Sequence, residues 1–193
     1  MRRIIFLIYW ITSVIALETL IESGLPIPSE QARVPLMKIS IIIVGKTKEK
    51  FLQLGEEEFQ RNLARFCQLE WIVVKEEKIV STRSGQIIKQ KEANRILNKI
   101  PKGSYVIAVD RTGEQMSSEE FAEYLQMKMN EGLGKITFII GGTLGLDNRV
   151  LKSATKVLSL SFMTFTHEMS RLILLEQVYR AFTILKGTGY HKA

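Results

Sequence analysis

The chain has a single cysteine, Cys67, so it can form no internal disulfide and no cysteine-based metal cluster; this suits a reducing cytoplasmic setting, and no metal is expected. Histidine is nearly as scarce. Only His167 and His191 are present, so imidazole chemistry near neutral pH falls to one of these two positions. Of the few prolines, Pro26, Pro28 and Pro35 punctuate a linker from Ser23 to Pro35. There is no internal repeat and no low-complexity tract. The apolar run Ile4 to Leu17 has 14 residues, short of the roughly 20 that a membrane span requires. With Arg2-Arg3 before it, this run has the charged start and apolar centre of a secretory signal. Ala16 is followed by Leu17 and Glu18, however, and no small-x-small cleavage site is there. Two readings stand: a membrane anchor, or translation from an upstream start with the protein proper beginning at Met37. The second is adopted, because a strand pattern starts directly after Met37-Lys38. Residues 1–36 are therefore read as an extension and residues 37–193 as one domain.

Acidic residues are outnumbered by basic ones, 20 to 27, and three of each precede Met37, so the whole excess of +7 belongs to the domain. Such a balance favours a polyanionic partner, RNA or DNA. The 157 residues from Met37 onward suffice for one buried core.

Strand and helix patterns alternate along these residues. Ile39 to Val44 is a β-branched run suited to a buried parallel strand, ended by Gly45. Phe51, Leu54, Phe59, Leu63 and Phe66 recur at roughly helical intervals. Leu69 to Val74 reads as a strand, Lys75 to Ser84 as a charged loop, and Gln86 to Ile100 as a helix stopped by Pro101-Lys102-Gly103. A strand follows at Tyr105 to Val109, then a helix opened by Ser117-Ser118-Glu119-Glu120 and running to about Glu131. Ile136 to Ile140 is the next strand. This alternation predicts an α/β fold, a mostly parallel sheet with helices on both faces. Ligands in such sheets sit outside the C-terminal strand ends. Three segments lie there: Val109-Asp110-Arg111-Thr112-Gly113, Gly141-Gly142, and Leu160 to Phe165. The paired glycines let backbone amides approach a ligand with no Cβ in the way. Each segment also has a plain alternative, a turn for Asp110 to Gly113 and core packing for Leu160, Phe162, Met163 and Phe165.

After Ile136 to Ile140 come Gly141-Gly142-Thr143-Leu144-Gly145-Leu146, a short helix, the serine-bracketed Leu158-Ser159-Leu160-Ser161-Phe162-Met163-Thr164-Phe165-Thr166-His167, and a long helix closing in Gly189-Tyr190-His191-Lys192. That order resembles the C-terminal half of the small SPOUT-class methyltransferases of the RlmH type, which methylate N3 of a pseudouridine in large-subunit (23S) ribosomal RNA. The resemblance runs from Met37-Lys38-Ile39 to the C-terminus and leaves out residues 1–36. It implies S-adenosylmethionine as methyl donor, held by Val109, Gly141 and Leu160, Ser161, Phe162, Met163, Thr164 and Phe165. It also implies a trefoil knot in the last loops, ribosomal RNA within the ribosome as substrate, and a homodimer in which one subunit's tail completes the other's site.

The donor methyl is already activated on a sulfonium, so the protein must mainly align it with N3 and exclude water. N3 must also lose a proton. His167 is a candidate for direct base, for positioning, or for a simple helix cap; His191 for proton movement or a solvated chain end. Tyr190 and His191, on a stalk with Gly187 and Gly189, are suited to stacking on a base and touching phosphate. Arg171, with Arg149, Lys152, Lys156 and the region Lys75 to Lys91, could supply phosphate contacts.

On a helical wheel, His167 to Lys186 shows a narrow polar arc of Glu176, Arg180 and Thr183. An apolar circumference this wide must bury more than one face, one on its own sheet and another on a second subunit. A dinucleotide oxidoreductase is disfavoured, since Gly45-Lys46-Thr47 follows the first strand where G-x-G-x-x-G would be needed. The remaining alternative is a non-catalytic RNA-binding module tethered by Ile4 to Leu17.

Overall fold

The computed structural model describes residues 37–78 and 85–190; the expectations for Ile4 to Leu17 and for His191 lie outside the described residues. Five strands, β1 (Lys38–Val44), β2 (Gln68–Val74), β3 (Tyr105–Gln115), β4 (Lys135–Ile140) and β5 (Lys156–Ser159), form one sheet in the order β2-β1-β4-β3-β5. Every pairing is parallel. The helices are α1 (Lys50–Leu63), α2 (Gly85–Leu97), α3 (Ser118–Asn130), α4 (Asn148–Ser153) and α5 (His167–Leu185).

Strand alternation sorts the core into two layers. Ile39, Ile41 and Ile43 of β1 point, with Ile107 and Phe138, into a cluster shared with Leu63, Phe121, Leu125, Leu174 and Val178. Ile42 and Val44 point the other way, with Val106, Ala108 and Ile139, onto Ala93, Ile96 and Val150. Thus α1, α3 and α5 cover one face and α2 and α4 the other. A strand buried on both sides has no polar face to alternate, which is why β1 reads as an unbroken apolar run.

The start of α3 follows the local chemistry. The Glu120 amide donates to Ser117 Oγ at 3.1 Å, and the Ser117 amide donates to Glu120 Oε2 at 2.7 Å. Two amides that the helix cannot satisfy itself are thereby paired, a capping box.

Three features refine the reading of the sequence. First, Asp110 to Gly113 is not a loop beyond the strand. β3 continues to Gln115, with a break in register against β5 between Val109 and Glu114. Asp110 folds the bulge on itself, accepting from the Thr112 amide at 3.0 Å and its hydroxyl at 2.8 Å. Gly113 then crosses β5 so closely that a Cβ would lie 2.6 Å from the carbonyl carbons of Val157 and Leu158, so no larger residue fits. The polar run hid the strand because its residues escape into the bulge rather than alternate.

Second, the apolar circumference of α5 is largely covered within the chain. Tyr179 meets the rings of Phe59 and Phe66 at 5.8 and 5.9 Å, and Phe182 stacks on Phe66 at 5.6 Å. On the α3 side Ser118 Oγ donates to Gln177 Oε1. Packing between α1 and α3 over the sheet accounts for much of this coverage.

Third, Thr183 is not on the polar arc; it is 1% exposed. The Gly187 amide donates to Ile184 O and the Thr188 amide to Thr183 O, both at 3.0 Å, with Gly187 at φ +63. This pair of bonds is a Schellman closure. It folds the chain back over the last turn, so Gly187 terminates the helix rather than loosening a stalk.

Candidate active site

The C-terminal ends of β1, β3, β4 and β5 open onto a cleft of about 790 Å³, within the range that holds a cofactor-sized molecule. Its walls are Lys48, Glu49 and Leu52 from the start of α1, Lys89 of α2, Val109 to Arg111 of β3, the turn Gly142 to Leu146, and most of the segment Ser159 to Glu168. The turn is tight: the Gly145 amide donates to Gly142 O at 2.9 Å, and Gly145 has φ +77. Ser161 shapes the opposite wall, its Oγ accepting from the Met163 amide at 2.9 Å, while Ser159 Oγ donates to Ser161 O.

Of the residues expected to hold the cofactor, Val109, Leu160, Ser161, Met163, Thr164 and Phe165 line this cleft, and His167 joins them. Phe162 does not; it stands 93% exposed outside the wall. Gly141 does not line the cleft either. It is buried behind the turn, where a Cβ would lie 2.8 Å from the carbonyl carbon of Gly145 and 2.9 Å from the Leu146 amide. Its lack of a side chain lets the turn close on itself, and the part of the turn that lines the cleft is Gly142 to Leu146.

Arg171, expected among phosphate contacts, is wholly buried beneath the site. Its Nη1 donates to Thr47 Oγ1 at 2.8 Å and its Nη2 to Val44 O at 2.6 Å. Thr47 passes the polarity on, donating to Glu56 Oε1 at 2.7 Å. Nearby, Glu168 Oε2 accepts from the amides of Lys48 and Glu49 at 3.0 and 3.3 Å. A carboxylate of α5 therefore caps the start of α1, whose own N-cap residue, Glu49, makes no side-chain cap bond. These contacts pin the Gly45 to Glu49 loop, and with it the cleft wall at Lys48 and Glu49. Arg171 thus holds that loop from beneath the cleft.

The ionisable groups respond to this burial. Desolvation raises the Glu56 carboxyl above its ordinary value, with the Thr47 bond and Arg171 opposing. Burial also pushes Glu168 up, but the two loop amides, Arg171 and His167 outweigh it and hold Glu168 below the usual range. His167, its Nε2 3.9 Å from Glu168 Oε1, is pulled below 6.5 by burial first and by Arg171 second. The imidazole in the cleft is therefore neutral at neutral pH.

Tyr190 lies against α5 and away from the cleft. Its ring meets Tyr179 at 4.8 Å and the guanidinium of Arg180 at 5.1 Å, and its hydroxyl donates to Glu176 at 3.2 Å. Sequence reasoning missed Thr47, Lys48, Glu49, Glu56 and Glu168. The strand-end rule applied to β1 would have reached the first three, since they lie within five residues of its end at Val44.

Comparison with known proteins accords with the geometry. The family described as "Predicted SPOUT methyltransferase" matches residues 37–191. The chain belongs to this family. It is 48% identical over 159 residues to the ribosomal RNA large subunit methyltransferase H of Halothermothrix orenii, and 49% identical over the same length to that of Clostridioides difficile. Each alignment spans 81% of this chain and 100% of the relative. Among solved structures, a probable methyltransferase from Bordetella pertussis Tohama I superposes with TM-score 0.51 at 8% identity, over 76% of this chain and 95% of that one, a likeness of fold.

Proposed function

We propose that this chain transfers a methyl group from S-adenosylmethionine to large-subunit ribosomal RNA, at N3 of a pseudouridine, as a cytoplasmic homodimer acting on the ribosome. The observation that carries the reading is the convergence of three separate segments, Val109 to Arg111, Gly142 to Leu146 and Ser159 to His167, on one cleft. The residues fit the donor. Leu52, Val109, Leu146 and Leu160 offer apolar surface to a nucleoside, the Gly142 to Leu146 turn brings backbone close without bulky side chains, and Glu49, Asp110 and Glu168 place acidic groups around the space for a cationic sulfonium. The bound cofactor supplies an activated methyl.

The chain's own work is orientation and exclusion of water. Met163 and Phe165 wall the cleft, while the Arg171 and Glu168 contacts keep the β1 loop from drifting. Neutral His167 can accept a hydrogen bond from an imide N–H, which would hold the base edge toward the donor and ease loss of its proton. Phe162 and Met163, 93% and 74% exposed at the mouth, are the apolar groups offered to a second subunit. The tail from Thr188 would then reach the partner's cleft instead of its own.

The test is transfer of labelled methyl from S-adenosylmethionine to purified ribosomes, followed by mapping of the modified nucleotide. Label at a pseudouridine of large-subunit RNA is expected. Absence of transfer would leave a non-catalytic RNA-binding module in its place.

A further inference from the structure

Charge is sorted by sheet face. On one face, α2 carries Lys89, Lys91 and Arg95 against Glu92, and α4 carries Arg149 and Lys152, a net of +4 within the two spans, with Arg149 paired to the N-cap Asp147 at 3.1 Å. Glu92 on this face and Glu56 on the other are both buried. On the other face, α1 has Lys50 and Arg61 against Glu56, Glu57 and Glu58, and α3 has Lys128 against Glu119, Glu120 and Glu123, while α5 balances; the net is −3. The helices on the two faces are thus opposite in net charge.

The basic face is also continuous with the site. Lys89 lines the cleft, and from it α2 descends through Lys91 and Arg95 toward exposed Lys99 and Lys102. From Lys89 to Lys99 the track is about 15 Å long at the helical rise. Arg149 ties α4 to it, donating to Asn94 Oδ1 and Gln90 O at 3.0 and 2.9 Å, which sets Lys152 alongside. Glu77 pairs with Arg95 and Lys91, whereas Lys99, Lys102 and Lys152 form no ion pair among the described residues. Lys156, a phosphate candidate by sequence, is excluded. It is held by Glu114 at 2.7 Å and lies over the Tyr124 ring on the α3 side. Among the described residues, large exposed apolar groups on the basic face are confined to Ile87 and Leu144 at its upper end, so these residues offer charge without the aromatic anchors of a protein interface.

We infer that the α2/α4 face is the track on which the phosphate backbone of the RNA substrate lies as the target base enters the cleft past Lys89, and that the acidic α1/α3 layer faces away from the RNA. The inference rests on the ribosomal RNA reading for its ligand. Contacts of this kind set register and orientation, leaving base selection to the cleft.

The experiment is co-sedimentation of the full chain with purified ribosomes over a range of salt, with cofactor affinity measured separately by calorimetry. Lys99→Glu with Lys152→Glu alters two exposed positions outside the cleft. Lys50→Glu with Arg61→Glu makes the same change of net charge on the acidic layer. The first pair should weaken binding about tenfold or more and lower the salt slope by about 2, one per lost phosphate contact, with cofactor affinity unchanged; the second pair should leave the slope alone. Equal losses from both pairs, an unchanged slope in the first, or no binding by the parent chain would overturn the track. Failure of methyl transfer with face-dependent binding intact would instead remove the catalytic reading and leave the track standing.

Discussion

Replacing Arg171 by methionine tests whether a buried charge holds the cleft wall. Methionine keeps much of the length and volume but removes both guanidinium bonds, to Thr47 Oγ1 and Val44 O. Val44 O loses a buried donor, and Glu56 and Glu168 lose the cation between them. Removing one partner of a buried charge network costs about 3–5 kcal/mol, because the other partner stays behind uncompensated. For a domain of this size each kcal/mol lowers Tm by roughly 2–4 °C, so a fall of about 6–20 °C is expected. Thermal unfolding followed by circular dichroism at neutral pH measures it. The double variant Arg171→Met, Glu56→Gln separates charge from packing. Burial already disfavours the Glu56 carboxylate, so its neutralisation should recover part of the loss. A single variant melting within about 2 °C of the parent, or a double variant less stable than the single, would refute the account.

The other expectations are as direct. Gly141→Ala forces a Cβ within 3 Å of backbone in the 145–146 segment; overpacking of this kind costs about 1–3 kcal/mol, and cofactor affinity by calorimetry should fall with it, whereas full affinity would uncouple the turn from the cleft. His167 has a folded-state pKa below 6.5, so the stability tied to its neutral form is present above that pH and lost as pH falls through the depressed value; urea melts of His167→Asn between about pH 5 and 7 should show a flatter profile than the parent, and an identical profile would contradict the burial. The Cys67 thiol, 2% exposed and pushed up to about 12 by burial, should resist an aromatic disulfide reagent until the protein is unfolded, and rapid native labelling would place it outside the core. A chain beginning at Met37, which is itself buried at the start of β1, should melt within about 2 °C of the full chain and bind cofactor equally well; precipitation of the shorter chain would assign residues 1–36 a structural role.

The parts of the fold legible in sequence were those whose local signal and tertiary role agree. β1, β2 and β4 were placed within one residue at each end, since β1 and β4, covered on both faces, are simply apolar runs and the partly exposed edge strand β2 still carries Trp71-Ile72-Val73-Val74. The capping residues of α3 announced its start. Misreadings came where residue type and position compete. Arg171 occupies the inner stripe of α5, in helical step with Leu174, Leu175 and Val178, and the wheel position was the better guide than the charge. Asp110 to Gly113 looked like a loop because bulge residues do not alternate. Gly141 and Gly142 are indistinguishable as letters, and only the path of the turn assigns one to its interior and the other to the cleft. Phe162 and Phe165 differ likewise by which way the wall bends.

The strand order has a consequence for how the protein matures. β4 lies between β1 and β3, and β5 pairs with β3 on the far side, so the sheet's centre cannot close until more than half the domain is available. Pairings between distant segments are slow to form. The cleft is later still, because its walls come from both ends of the domain, from Lys48 to Glu168. No early folding intermediate can offer half a binding site of useful affinity. On the proposed reading, cofactor capture would await docking of the last helix, which brings Glu168 to the cleft and Arg171 beneath it. A ligand that recognises only the finished form adds its binding free energy to that form alone. In a cell the cofactor would act as a latch on a fold whose central strand arrives late, retaining correctly assembled chains while incomplete ones stay open to proteolysis.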